Sequence, residues 1–245
     1  MVAVVLAGVA AGTINTVVGS GTLITFPVLL AVGFSPLVAN VSNTIGLVPG
    51  SVSGAIGYRR ELAGQRARIM RLGLTALLGG TTGGVLLLVL PEAAFKAIVP
   101  AFIAVALVLI VLQPRLSRRL AARRGEVVGE HRRLAAAITY GTGIYGGYFG
   151  AAQGIMLLGT LGLILPESLQ RINALKNVLA GLVNCVAGIL FMVVAPVAWL
   201  PALLIACGSM LGGVLGSRFG RRLSPVALRV VIVVVGLVAI AQLLF

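Results

Sequence analysis

Six stretches of this chain, near 37–58, 72–90, 93–112, 172–195, 197–217 and 226–245, are each about twenty residues long and almost wholly apolar. That is the length a helix needs to cross the hydrocarbon core of a bilayer. With 59% hydrophobic and 10% charged residues over 245 positions, and a mean hydropathy of +1.13, the chain has far more apolar surface than one soluble core can hide. It reads as an all-α, multi-pass integral membrane protein.

Charge supports this reading. The formal net charge is +14, from 19 Lys and Arg against five Glu and no Asp. Sixteen of those cations fall in 59–71, 114–133 and 217–229, between apolar stretches. Cytoplasmic loops of membrane proteins carry such an excess of Lys and Arg. No aromatic residues interleave the basic runs as a nucleic-acid face would require, so nucleic acid is not an expected partner. Cys185 and Cys207 lie in apolar stretches with no CxxC or Cys/His cluster and read as small buried hydrophobes. His131 reads as a solvated loop residue. The first apolar stretch lacks the charged start of a signal peptide and is expected to remain in the mature protein.

The chain also repeats itself at an offset of 133 residues. A glycine-broken apolar segment carrying Gly12, Asn15, Gly19, Ser20 and Gly21 precedes Asn40-Val41-Ser42-Asn43-Thr44. A second, carrying Tyr145, Tyr148, Gly150, Gln153 and Gly154, precedes Asn173-Ala174-Leu175-Lys176-Asn177. Gly21 falls on Gly154, Asn40 on Asn173, Asn43 on Lys176 and Thr44 on Asn177. Broken helices at matching places in two halves free backbone groups at membrane depth, which is the best sequence pointer to a transporter's binding site. The expected domains are a first repeat at 1–112, a basic cytoplasmic loop at 113–134 and a second repeat at 135–245.

Counting crossings fixes the expected topology. With 59–71 cytoplasmic, 72–90 leads out and 93–112 returns to the basic segment. The loop holding Arg218, Arg221 and Arg222 then lies inside only if 135–165 enters and leaves on one face; a single kinked crossing by each broken segment is the alternative. Each half thus reads as a re-entrant or broken helical hairpin followed by three transmembrane helices, about eight hydrophobic segments in all. Three crossings is an odd number, so the two halves are inverted repeats with both termini outside.

Polar residues in these stretches are the candidate site. A charge near the bilayer centre costs ~2.5–3.5 kcal/mol on insertion scales, so a retained one needs a use. Lys176 either snorkels to the rim near Arg171 or faces a cavity as a fixed cation. Asn40, Asn43, Thr44, Asn173 and Asn177 either stitch helices together or line the site. Freed N–H groups around Gly19-Ser20-Gly21 and Gly150 to Gly154, with Asn15 and Gln153, would offer an anion the positive end of a half-helix. Gly83-Gly84 and Gly212-Gly213 read as close helix contacts, Pro27 and Pro166 as residues that shape segment ends, and Glu167 as a loop charge.

These motifs, from Gly12 to Pro27 with the Ala39–Thr44 turn and from Gly146 to Gly154 with the Asn173–Asn177 turn, resemble the sulfite exporter TauE/SafE family. The resemblance covers nearly the whole chain. It implies a carrier of two related halves that moves sulfite or small organosulfonates outward, with the Gly-Ser-Gly break and the Lys176 turn lining the pathway. The chain departs from the family's commoner run of three or more consecutive glycines at Val18-Gly19-Ser20-Gly21.

The expected function is therefore a secondary transporter exporting a small sulfur-containing anion by alternating access, with its site between the repeats. A small-anion channel is the alternative, and a membrane-embedded enzyme a more distant one, since no nucleophile, metal cluster or acid–base pair is visible. There is no GxxxxGK[ST] loop for ATP. No cofactor is expected, and the partners are a small anion, the lipid bilayer and a second copy of the chain as an open option.

Overall fold

A computed structural model describes residues 1–122, 131–219 and 225–244. Among these there are ten helices and no strand: α1 (Val2–Val17), α2 (Thr22–Ala31), α3 (Pro36–Gly57), α4 (Arg66–Val89), α5 (Glu92–Ala122), α6 (Arg132–Tyr148), α7 (Gln153–Ile164), α8 (Leu169–Val194), α9 (Trp199–Phe219) and α10 (Pro225–Leu244). The all-helical, apolar architecture is that of an integral membrane protein. Four helices have the length and apolarity to cross a bilayer: α4, residues 92–116 of α5, α8 and α9. Of the six spans expected, α3 has the length at 22 residues, but Asn40, Ser42, Asn43, Thr44, Ser51 and Ser53 make it the polar helix of the set.

Local chemistry starts α3 and α8 at matching places. Ser35 and Ser168 each accept a hydrogen bond from a backbone N–H three residues on, Val38 and Arg171, both at 3.4 Å. These are N-caps, which satisfy donors that the first helical turn leaves orphaned.

Glycines decide how the helices pack. A Cβ added at Gly212 of α9 would lie 2.1 Å from the Val9 carbonyl oxygen of α1, and one at Gly83 of α4 would lie 2.0 Å from the Ile144 carbonyl oxygen of α6. Only glycine permits backbones this close, and small residues at helix contacts are how helices associate without a hydrophobic driving force. The expected role of Gly83 and Gly212 is the one observed. The same contacts give the helix directions. Val5, Val9 and Thr13 of α1 meet Gly208, Gly212 and Gly216 of α9 in turn, while Gly46, Gly50 and Gly57 of α3 meet Ile205, Ser209 and Ser217 of α9. Likewise Gly79 and Gly83 of α4 meet Tyr140 and Ile144 of α6, and Gly73, Gly80 and Gly84 meet Leu182, Val183 and Ala187 of α8. So α1, α3 and α9 run one way. The trio α4, α6 and α8 runs the other, since Ile45 and Ser51 of α3 meet Gly188 and Gly181 of α8 in reverse order. Outside these trios, α2 packs on α10, α7 on α5, and α5 on α10.

Both broken segments double back. Gly21, just before α2, lies so near Ala11 of α1 that an added Cβ would sit 2.7 Å from its carbonyl oxygen, and Gln153 at the head of α7 lies against Gly146 of α6. A continuing helix would carry those residues away from each other at 1.5 Å per residue. The far end of α7 is tied back to the start of α4: Glu167 accepts from Arg68 at 2.9 Å and from Arg171 at 2.5 Å, and Gln65 Nε2 donates to the Arg171 carbonyl at 3.1 Å.

An aromatic cluster packs the inner end of α6 against α2 and α5. Phe149 meets Phe26 edge-on at 5.2 Å between ring centres, and Phe102 meets Tyr145 at 5.2 Å. This cluster belongs to the larger of two apolar cores, which also takes in Phe95 and Phe191.

Several expectations shift in register. The segment 113–134 begins as helix, because α5 continues through Pro114 to Ala122, and α6 opens at Arg132. The expected inside position of Arg221 and Arg222 and the expected outward position of Phe245 lie outside the described residues. Pro27 lies inside α2 rather than at its end. Cys185 is half-buried and Cys207 exposed, so neither is a core residue. The breaks correspond at Gly19 and Gly150, both with positive φ (+90° and +79°), which is an offset of 131 rather than 133.

Candidate functional site

Each break leaves helix-end carbonyls without partners. At the end of α1 the N–H groups of Val18 and Gly19 both turn to the Ile14 carbonyl, at 2.7 and 3.0 Å, and Gly19 takes up a left-handed conformation that costs glycine little. The Asn15 and Thr16 carbonyls are left at the negative end of the helix. Three side chains of α8 close on them. Lys176 Nζ donates to the Asn15 carbonyl at 2.8 Å and to that of Thr16 at 3.2 Å, while Asn173 Nδ2 and Asn177 Nδ2 each reach the Thr16 carbonyl at 3.3 Å. Residues 173, 176 and 177 can act together because positions three and four apart share one helix face.

The second break has the same plan with different ligands. Phe149 and Gly150 both donate to the Tyr145 carbonyl, at 2.9 and 3.0 Å. The Tyr145 hydroxyl donates to the Ala151 carbonyl at 2.5 Å and braces the turn, in which Ala152 holds φ +60°. Asn40 of α3 donates from Nδ2 to the Tyr148 carbonyl at 3.0 Å. The Asn-bearing helix α8 therefore caps α1, and the Asn-bearing helix α3 caps α6.

The two tips touch. Gly154 donates its N–H to the Gly19 carbonyl at 3.1 Å, and a Cβ added at Gly19 would fall 2.4 Å from the Gly154 Cα. Around this contact several buried polar atoms have no hydrogen-bond partner: Ser20 Oγ, Asn40 Oδ1, Gln153 Nε2 and Asn173 Oδ1, with Thr16 Oγ1 and Tyr148 OH nearby in sequence. Buried polar groups are nearly always paired, and leaving one unpaired costs ~1–3 kcal/mol. Lys176 is 1% exposed and forms no ion pair with a carboxylate among the described residues. An ammonium has three N–H donors, and two of these are engaged by carbonyls.

The sequence profile of the sulfite exporter TauE/SafE family matches residues 4–243. The chain belongs to this family. Among curated relatives it is 28% identical over 238 residues to a probable membrane transporter protein, YfcA, of Escherichia coli K12, covering 96% of this chain and 86% of that one. It is 23% identical to a probable membrane transporter protein of Haemophilus influenzae, over 97% and 92% of the two chains, and 25% identical to a probable membrane transporter protein, ORF9, of a Sinorhizobium species, over 96% and 88%. No solved structure matches it. As a family member the chain is a multi-pass membrane transporter of the cell membrane, and these relatives carry the name of membrane transporters.

Within the family member's structure the residues singled out from sequence divide into two groups. Gly19, Ser20, Gln153, Asn40, Asn173, Lys176 and Asn177 gather where the tips meet the caps, with Gly21 and Gly150 shaping the turns. Asn43 is turned away: its Oδ1 accepts from Thr25 and its Nδ2 donates to Thr22 at 3.3 Å, tying α3 to α2. Thr44 donates back to the Asn40 carbonyl within α3 at 2.9 Å, and the Asn15 amide reaches Ser51 at 3.4 Å, so Asn15 meets Lys176 through its backbone alone. Sequence reasoning missed Thr16, whose carbonyl is the hub of three contacts. The signal was its place three residues before a glycine that ends the helix.

Proposed function

We propose that this transporter exports a small sulfur-containing oxyanion, sulfite or an organosulfonate, by alternating access, and that the anion binds where the two hairpin tips meet. The observation that carries the reading is Lys176: a buried cation without a carboxylate, holding one free N–H donor beside unpartnered side-chain atoms. A buried charge is costly unless paired, and a transported anion supplies the missing counter-charge. The Gln153 amide and the Ser20 hydroxyl are donors suited to an oxyanion's oxygens. Asn173 and Asn177 hold Lys176's carbonyl partners in place.

The two halves are read as inverted repeats spanning 1–112 and 135–245. Support lies in the directions of corresponding helices, which are opposed for α1 and α6, for α3 and α8, and for α4 and α9. In such carriers the site lies between repeats, and one bundle rocks against the other. Uptake of labelled sulfite, taurine-like sulfonates and sulfate into proteoliposomes tests the reading. Lys176→Ala and Asn173→Ala are expected to lower saturable sulfite flux by about tenfold or more, the equivalent of losing one charge-assisted contact. Wild-type flux in both variants would remove the site assignment, and flux that never saturates would favour a channel.

A further inference from the structure

The two breaks share a plan but not a charge. At the end of α1 the freed Asn15 and Thr16 carbonyls are held by the Lys176 ammonium. At the end of α6, Phe149 and Gly150 both bond to the Tyr145 carbonyl, so the Gly146 carbonyl loses the N–H that a continuing helix would give it. No ammonium answers there. The residue 133 positions before Lys176 is Asn43, and both ends of its amide are engaged by Thr22 and Thr25 of α2. What does reach the end of α6 is the Asn40 amide, 0% exposed, donating to the Tyr148 carbonyl while its Oδ1 has no partner. The unpartnered Asn40 Oδ1 thus belongs to an amide that sits at the negative end of α6, where its nitrogen meets the Tyr148 carbonyl, and it adds an oxygen ligand there.

We propose that the carbonyl end of α6, with Asn40 Oδ1, is a binding site for a small monovalent cation, sodium in the cell, occupying the place that Lys176 fills at the end of α1. Unwound carbonyls and half-helix C-termini are the groups that hold coupling sodium ions in carriers built from repeats. Neutral oxygens suit a hard alkali cation, and the described residues include no cluster of His, Cys, Asp or Glu to hold a transition metal. The site explains how a chain with no ATP-binding loop and no carboxylate at the tips could draw on an ion gradient. It rests on the transporter reading for its purpose, though not for its existence.

The test uses the purified full chain without sulfite. Thermal unfolding is followed in sodium, potassium and choline chloride at equal ionic strength. Saturable stabilisation by sodium over choline is expected, because a ligand that binds only the folded state raises its stability by mass action. In proteoliposomes an inward sodium gradient is expected to change sulfite flux by about fivefold or more relative to choline, a typical coupling between two sites. Asn40→Ala should abolish the sodium-dependent stabilisation. Equal melting in the three salts for wild type would overturn the proposal, as would sodium stabilisation that survives in Asn40→Ala. Sulfite stabilisation measured in choline reports separately on the anion site, so failure of one reading is distinguishable from failure of the other.

Discussion

At Gly150 the backbone holds φ +79°, and an added Cβ would lie 2.9 Å from the Gly146 carbonyl oxygen. Left-handed backbone costs an L-residue roughly 1–2 kcal/mol. Gly150→Ala is therefore expected to lower stability by about that much, read as a fall in the thermal midpoint of the purified protein. Gly141 provides the contrast: it is in the interior of α6 with nothing within 4 Å of an added Cβ. Gly141→Ala should raise stability by about 0.5–1 kcal/mol, since glycine weakens a helix interior relative to alanine. Glu167, between α7 and α8, adds a pH-dependent contact. Its partial burial pushes the carboxyl pKa up, but hydrogen bonds from Arg68 and Arg171, and their charges, outweigh that and hold it below the usual carboxylate value. A depressed folded pKa means that the contribution is fully present above the unfolded value of about 4.3 and is lost as pH falls through the folded one. The difference in melting between wild type and Glu167→Gln should thus stay constant from pH 7 to about 5 and close in stronger acid.

At the scale of helices, the contact of α4 with α6 and that of α1 with α9 are the least tolerant parts of the molecule. A leucine at Gly83 would have to displace the Ile144 carbonyl, and one at Gly212 that of Val9. Both variants are expected to lose folded protein outright, measured as monodisperse yield after extraction, whereas Gly84→Ala, whose Cβ would meet the Leu190 side chain at 3.2 Å, should be recovered near wild-type level. Much of this level was legible in the sequence. Apolar length located α4, α5, α8 and α9, and the glycine pairs at 83–84 and 212–213 announced close packing. The candidate site was legible only in part. Repetition picked out Asn40, Asn173 and Lys176, because polar groups duplicated in hydrocarbon need a common cause. It could not distinguish Asn40, which crosses to α6, from Asn43 one turn on, which turns to α2. That choice depends on which face of α3 meets which neighbour, and periodicity within one helix carries no information about neighbours. Thr16 and the carbonyl of Asn15 were invisible for a related reason: they act through backbone oxygens, which every residue has.

For the whole molecule, the opposed trios α1–α3–α9 and α4–α6–α8 and the touching tips make a single prediction about the membrane. If Arg59, Arg60 and Arg66 face the cytoplasm, as their charge demands, then α4 leads outward and Glu92 lies outside. The turn at 165–168 is tied to Arg68 by Glu167, so it lies inside. The turn at 32–35 lies outside, because α3 runs beside α9 and Ser42 accepts from the Ala198 backbone N–H at 3.0 Å near the start of α9. Single cysteines introduced at Phe34, Glu92 and Ser168, in a background with Cys185 and Cys207 replaced by alanine, separate the possible topologies. A membrane-impermeant maleimide applied to intact cells should label Phe34→Cys and Glu92→Cys and spare Ser168→Cys until the cells are opened. Two hairpins entering from opposite faces give this pattern. Were α6 and α7 instead one kinked crossing, Ser168→Cys would label from outside along with Glu92→Cys. The hairpins would then not meet as a pair of opposed half-helices, and the proposed anion site would not be shared equally between the two faces of the membrane.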